Sequence, residues 1–156
     1  MTNQASAAPE GYSTITPYLI VNNASQAIDF YKQVFGAVEV MCMDNPDGKV
    51  GHAELKIGDS KIMLADECPE MEIHAPDNYG GSPVGIHVYV HNVDATLGEA
   101  IKAGATLSRE AADQFYGDRS GAFKDPFGHT WYVATHVEDL SEDEVRRRAA
   151  ELFGKQ

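Results

Sequence analysis

Two stretches of the chain carry the same succession of apolar and polar positions. Residues 17–27 run as a short apolar strand, a polar turn and the start of a helix, and residues 87–96 repeat this roughly 70 residues later. In the first copy Ala27, Phe30, Tyr31 and Val34 fall at helical spacing, and Gly36 stands where a left-handed C-terminal cap is wanted. In the second, Val93, Leu97, Ala100 and Ile101 form the stripe and Gly104 follows. Three strand-like segments come after each helix. In the first copy they are Val38–Asp44, Val50–Ile57 and 61–66, separated by Asn45-Pro46-Asp47-Gly48 and Gly58-Asp59-Ser60 turns. In the second they are 105–110, 114–124 and Thr130–His136, with Asp125-Pro126-Phe127-Gly128 turning into the last. The pattern predicts an α+β fold of two βαβββ modules forming a cupped mixed sheet. Open, curved sheets of this kind, set side by side, enclose a cavity where a ligand is expected.

The modules span residues 13–67 and 84–137, joined by a linker, 68–83, rich in Pro, Gly, Glu and Asn. Residues 1–12 are small and polar, without the apolar run or basic start of a signal peptide, and read as a flexible tail. In 138–156, Ser141-Glu142-Asp143-Glu144 is a capping-box pattern opening a helix to about Phe153, suited to pack on the domain edge or on a partner chain. No apolar run approaches the ~20 residues that span a bilayer. Charge sharpens this picture. With 12 Lys+Arg against 24 Asp+Glu the net charge is −12, which repels phosphate backbones and anionic lipid and argues against nucleic-acid and membrane partners. Cys42 and Cys68 are far apart and form no CxxC pair, so two free thiols in a reducing, cytoplasmic setting are expected.

Ala27-Ile28-Asp29-Phe30-Tyr31-Lys32-Gln33-Val34-Phe35-Gly36, then Val93-Asp94-Ala95, then Asp125-Pro126-Phe127-Gly128-His129-Thr130-Trp131 together resemble the vicinal oxygen chelate superfamily. The likeness is to its glyoxalase/bleomycin-resistance group and covers residues 13–137. It implies the paired-module fold and a homodimer formed through sheet edges. It also implies a place for a divalent metal, held in the family's enzymes by four inward His, Glu or Gln residues. Carried onto this chain, those positions fall on Thr16, Met63, Gly85 and Tyr132, none a usual ligand. The family metal is therefore expected to be missing and no cofactor is expected, while a divalent metal elsewhere stays open.

Strand alternation from these anchors turns Tyr18, Ile20, Lys61, Ala65, His87, Tyr89, Thr130 and Ala134 inward. It turns Ile62, Leu64, Ile86, Val88, Val90, Trp131 and Val133 toward the helices. His52 and Glu54, two apart, share a face. They form a base with its orienting carboxylate, or two ligands of a displaced metal site with His87, or a structural ion pair reaching Lys61 or Arg119. His87 is either a proton carrier near neutral pH or a neutral histidine bonded to a neighbour such as Tyr132. Arg119 either clamps an anionic ligand beside Phe115 or Tyr116, or pairs with a surface carboxylate. Met71 and Tyr79 in the linker are placed to form a lid.

The candidate ligand-binding set is thus Tyr18, His52, Glu54, Met63, His87, Tyr89, Arg119 and Tyr132. Three functions compete. The first is metal-free binding of a small, partly aromatic molecule. The second is a metal-dependent lyase, isomerase or dioxygenase with a relocated site. The third is a non-catalytic interaction domain that uses the C-terminal helix.

Overall fold

Asparagine starts both module helices, and it does so in the same way. Asn23 Oδ1 accepts the Gln26 N–H at 3.2 Å and Asn92 Oδ1 accepts the Ala95 N–H at 3.0 Å. Each satisfies a helix-end donor and contributes about 1 kcal/mol. The computed structural model describes residues 5–154; the ends of the expected tail and C-terminal segment, 1–4 and 155–156, lie outside the described residues. The chain divides into two units between Gly81 and Ser82.

The first unit contains β1 (Tyr18–Val21), α1 (Ala24–Phe35), β2 (Val38–Asp44), β3 (Val50–Ile57) and β4 (Ser60–Asp66). Its sheet runs β1-β4-β3-β2, with β1 parallel to β4 and the other pairs antiparallel. The second contains β5 (Gly85–Tyr89), α2 (Val93–Lys102), β6 (Thr106–Asp113), β7 (Asp118–Lys124) and β8 (Thr130–His136), then α3 (Glu142–Phe153). Its sheet runs β5-β8-β7-β6 with the same senses. Among the described residues, two four-stranded mixed sheets and three α-helices make the α+β fold that the repeat predicts.

The repeat reaches individual hydrogen bonds. Asp66 at the end of β4 accepts the Ala24 N–H at 2.8 Å, and Thr135 near the end of β8 accepts the Val93 N–H at 3.0 Å, so each sheet ties down the first residue of its helix. The hairpins 45–49, 114–118 and 125–129 share one loop. Asn45, Gln114 and Asp125 each pair by N–H with the carbonyl four residues on, and the glycine at loop position four returns its N–H to their carbonyls. Gly48, Gly117 and Gly128 all have positive φ, 86°, 96° and 95°, which an L side chain resists.

The helices cover one face of each sheet. In the first unit Ala27, Phe30, Tyr31 and Val34 of α1 are buried, as are Leu19, Val21, Leu55, Ile62 and Leu64 of the strands. In the second, Trp131, Phe123 and Val133 are buried with Val93, Leu97 and Ala100 of α2. Each large side chain buried this way stabilises by about 1.5–3 kcal/mol.

Several expected boundaries move. β6 continues to Asp113 and β7 begins only at Asp118, because residues 114–117 are the turn itself. Ile101 is 43% exposed and lies off the buried stripe of α2. The helix ends at Ala103 without a left-handed cap, so Gly104 with φ 104° redirects the chain where Gly36 caps it. The linker holds two single-turn helices, Pro69–Met71 and Pro76–Tyr79, with Met71 and Tyr79 exposed. Ser141 does cap α3, accepting the Glu144 N–H at 3.1 Å, while the Glu144 carboxylate turns to Arg147 and Arg148. No residue of α3 is buried. It is held to its own unit by Arg148 on Glu138 at 3.0 Å and by Phe153 edge-on to Phe115.

Candidate functional site

On the helix-free face of the first sheet, strand register brings four of the candidates together. Tyr18 on β1 and Glu54 on β3 both stand opposite Met63 on the intervening β4. The Tyr18 hydroxyl reaches across to His52 Nδ1 at 2.8 Å, and His52 Nε2 lies 3.8 Å from Glu54. Burial, and then the Glu54 charge, push the Tyr18 phenol up. Glu54 is 7% exposed although no helix covers this face. What lies near it is Tyr12, whose phenol is pushed up in pKa by Glu54 and whose ring sits under Lys61 Nζ at 4.0 Å. The face therefore offers a Tyr18–His52 hydrogen bond with the Glu54 carboxylate 3.8 Å beyond the ring, a thioether, and an ammonium over an aromatic ring.

The helix-free face of the second sheet carries His87, Tyr89 and Tyr132. His87 and Tyr89 have ring centroids 4.8 Å apart. Tyr132 lies over Gly85, so closely that a Cβ there would meet its ring at 2.2 Å. Next to them is a buried carboxylate, Asp118, which accepts from Tyr89 at 3.5 Å and pairs with His136 Nδ1 at 2.8 Å. The negative charge of Asp118 raises the Tyr89 phenol, and hydrogen bonds to Asp118 and then Asp139 raise the His136 imidazole. Ser120 accepts from Arg109 at 3.1 Å on the same face.

Arg119 sits on the opposite, helix-covered side of β7. Its guanidinium binds Asp94 at the start of α2 through two hydrogen bonds, 2.8 and 3.0 Å, and Asp113 at 3.3 Å. Those carboxylates raise its pKa further. Of the two roles open to Arg119, pairing with surface carboxylates is the one its contacts fill. Trp131 is core, donating its indole N–H to Asp125 at 2.9 Å. Three participants escaped sequence reasoning. Tyr12 falls in the polar tail, although it is the single aromatic residue among the first twelve. Asp118 and His136 were hidden by the misplaced start of β7; the register Asp118↔His136 puts them side by side.

The positions at which the family's enzymes hold a metal carry Thr16, Met63, Gly85 and Tyr132 here. Met63 offers a thioether, Gly85 no side chain, and the Tyr132 ring fills the space over Gly85. Among the described residues no three His, Cys, Asp or Glu side chains are grouped as a metal requires.

An α+β chain of two βαβββ modules, each with an aromatic-lined sheet face away from its helix, is the class these features define. The family model for the glyoxalase/bleomycin resistance protein/dioxygenase superfamily matches residues 12–133, and the chain belongs to that superfamily. An uncharacterized protein of Mycobacterium bovis is 42% identical over 135 residues, covering 85% of this chain and 89% of its own. Among solved structures, a gene product of Arabidopsis thaliana is 26% identical with TM-score 0.63, covering 79% of this chain and 98% of that one. The genomically encoded fosfomycin resistance protein FosX of Listeria monocytogenes has TM-score 0.63 at 16% identity, over 85% and 97%, which is a likeness of fold alone. No helix among the described residues is long and apolar enough to cross a membrane.

Proposed function

We propose that this chain binds a small, partly aromatic molecule on its helix-free sheet faces, without the metal that the family's enzymes use there. The observation that carries the reading is the exposure of large aromatic rings beside hydrogen-bonding groups: Tyr18, Tyr89 and Tyr132 are 48%, 64% and 43% exposed, with His52, Glu54 and His87 next to them. Exposed apolar rings with a few convergent polar groups are what ligand sites are made of. Met63 adds a polarizable thioether that adapts to an aromatic partner. Arg119, engaged by Asp94, is left out of the contact set.

The reading extends to a homodimer formed through a sheet edge. It is supported by β2, an edge strand on which Val38, Val40, Met41 and Met43 are all exposed. A cytoplasmic setting is supported by the two free thiols, Cys42 and Cys68. The test is a titration of isotope-labelled protein with a panel of monocyclic phenols and anilines, followed by amide shifts. Shifts clustered on β1, β3, β4, β5 and β8, weakened by Tyr18→Ala, His87→Ala or Tyr132→Ala in a folded protein, are expected. Affinity unchanged with all three replaced would refute the assignment.

A further inference from the structure

The segment before β1 is more than a lead-in. Tyr12 N–H closes a turn on the Pro9 carbonyl at 3.1 Å, and Gly11 takes φ 81°. A side chain at position 11 would meet Lys61 Nζ at 2.9 Å, so the glycine lets the backbone pass close to the ammonium. The turn delivers the Tyr12 ring beneath that ammonium, 4.0 Å from its centroid, and brings its phenol near enough to Glu54 for the carboxylate to raise its pKa. Glu54 is nearly inaccessible on a sheet face that has no helix over it.

We infer that Tyr12 is an internal stand-in for the ligand, and that the first sheet face is a phenol site which residues 5–12 close when no ligand is present. This rests on the reading that the first helix-free face binds a small aromatic molecule, and it names the class. A phenol has the two features this face calls for: a π-face for the Lys61 cation, the place the Tyr12 ring fills, and a neutral O–H donor for the nearby Glu54 carboxylate. An aromatic carboxylate meets like charge at Glu54, and an aromatic ammonium meets it at Lys61. The strap is built to leave. Ser6 and Ala7 are exposed, as are Pro9 to Gly11, and Tyr12 itself is only half-buried, so opening sacrifices little packing. Because strap and ligand compete for one place, the tethered ring acts as a local inhibitor at millimolar effective concentration or above.

The test compares the full-length chain with Tyr12→Ala and Tyr12→Phe by NMR titration with 4-cresol and with 4-methylanisole, which keeps the ring and lacks the donor. At neutral pH 4-cresol is un-ionised, its hydroxyl resembling that of tyrosine at about pKa 10. Tyr12→Ala is expected to bind 4-cresol at least about tenfold more tightly than the unmodified chain. In that variant 4-methylanisole is expected to bind about tenfold more weakly than 4-cresol, the worth of one hydrogen bond to a charged acceptor. Tyr12→Phe, which keeps the ring under Lys61 and removes the hydroxyl near Glu54, should fall between. Equal 4-cresol affinity in all three proteins, or equal affinity for the two probes, overturns the inference. If the probes still shift His52, Glu54 and Met63 in that case, the binding reading survives; if they shift nothing on this face in Tyr12→Ala, both fail together.

Discussion

Replacing Asp125 by alanine should cost more stability than any other single carboxylate removal in the second unit. Asp125 is 3% exposed and its two oxygens accept at least three N–H groups: Phe127 at 3.0 Å, His129 at 2.9 Å and the Trp131 indole at 2.9 Å. Alanine leaves these donors inside with their acceptors gone. A buried donor without a partner costs about 1–3 kcal/mol, and water entering the vacated space recovers part of the sum, so a loss of about 3–5 kcal/mol is expected. For a chain of this size that lowers the melting temperature by roughly 6–20 °C. Asparagine should cost less, about 1–3 kcal/mol, because its oxygen can keep the two backbone donors while its amide opposes the indole. The assay is urea unfolding followed by the fluorescence of Trp131, the single tryptophan. Asp125→Ala within 1 kcal/mol of the unmodified protein, or equal losses for Ala and Asn, would refute this account of the 125–131 loop.

Other outcomes follow from the same contacts. Asp66→Ala removes the acceptor of both Ala24 N–H and Val50 N–H, each at 2.8 Å, and should destabilise the first unit by about 2–3 kcal/mol, seen as faster amide exchange at those two positions. Gly121→Ala should destabilise by about 1–3 kcal/mol in urea titrations, since the new Cβ meets the Arg109 carbonyl at 2.9 Å and Leu97 at 2.6 Å. The His136 pKa is raised by Asp118 and Asp139, so its contribution to stability is full below the unfolded value near 6.5 and is lost as pH rises through the folded value. Thermal unfolding should show that decline in the unmodified chain, whose His136 ring nitrogens meet Asp118 and Asp139, and not in His136→Gln.

The order of elements was legible because local chemistry repeats: a polar turn, an amphipathic helix and a loop closed by glycine occur in both modules. Alternation also placed Trp131 in the core and Tyr18, Met63, His87 and Tyr132 on the other face, since period two follows from any correct anchor. It failed where a loop carried strand-like residues. Phe115 and Tyr116 look like strand, yet Gly117 bends them into a turn, and the shift concealed Asp118 beside His136. Arg119 illustrates a different limit: its sequence neighbours say nothing of Asp94, which α2 brings from 25 positions away. Tyr12 was missed because a short polar tail carries no periodicity from which a contact can be inferred.

The most direct test of a metal-free binding role is calorimetric titration of chelator-treated, untagged protein with nickel(II), zinc(II), manganese(II) and iron(II). The account predicts no stoichiometric uptake of any of the four, with aromatic binding unchanged by their presence. One metal bound per chain, and lost in His52→Ala or Glu54→Gln, would contradict it and make this a metal-dependent member of the superfamily with a relocated site.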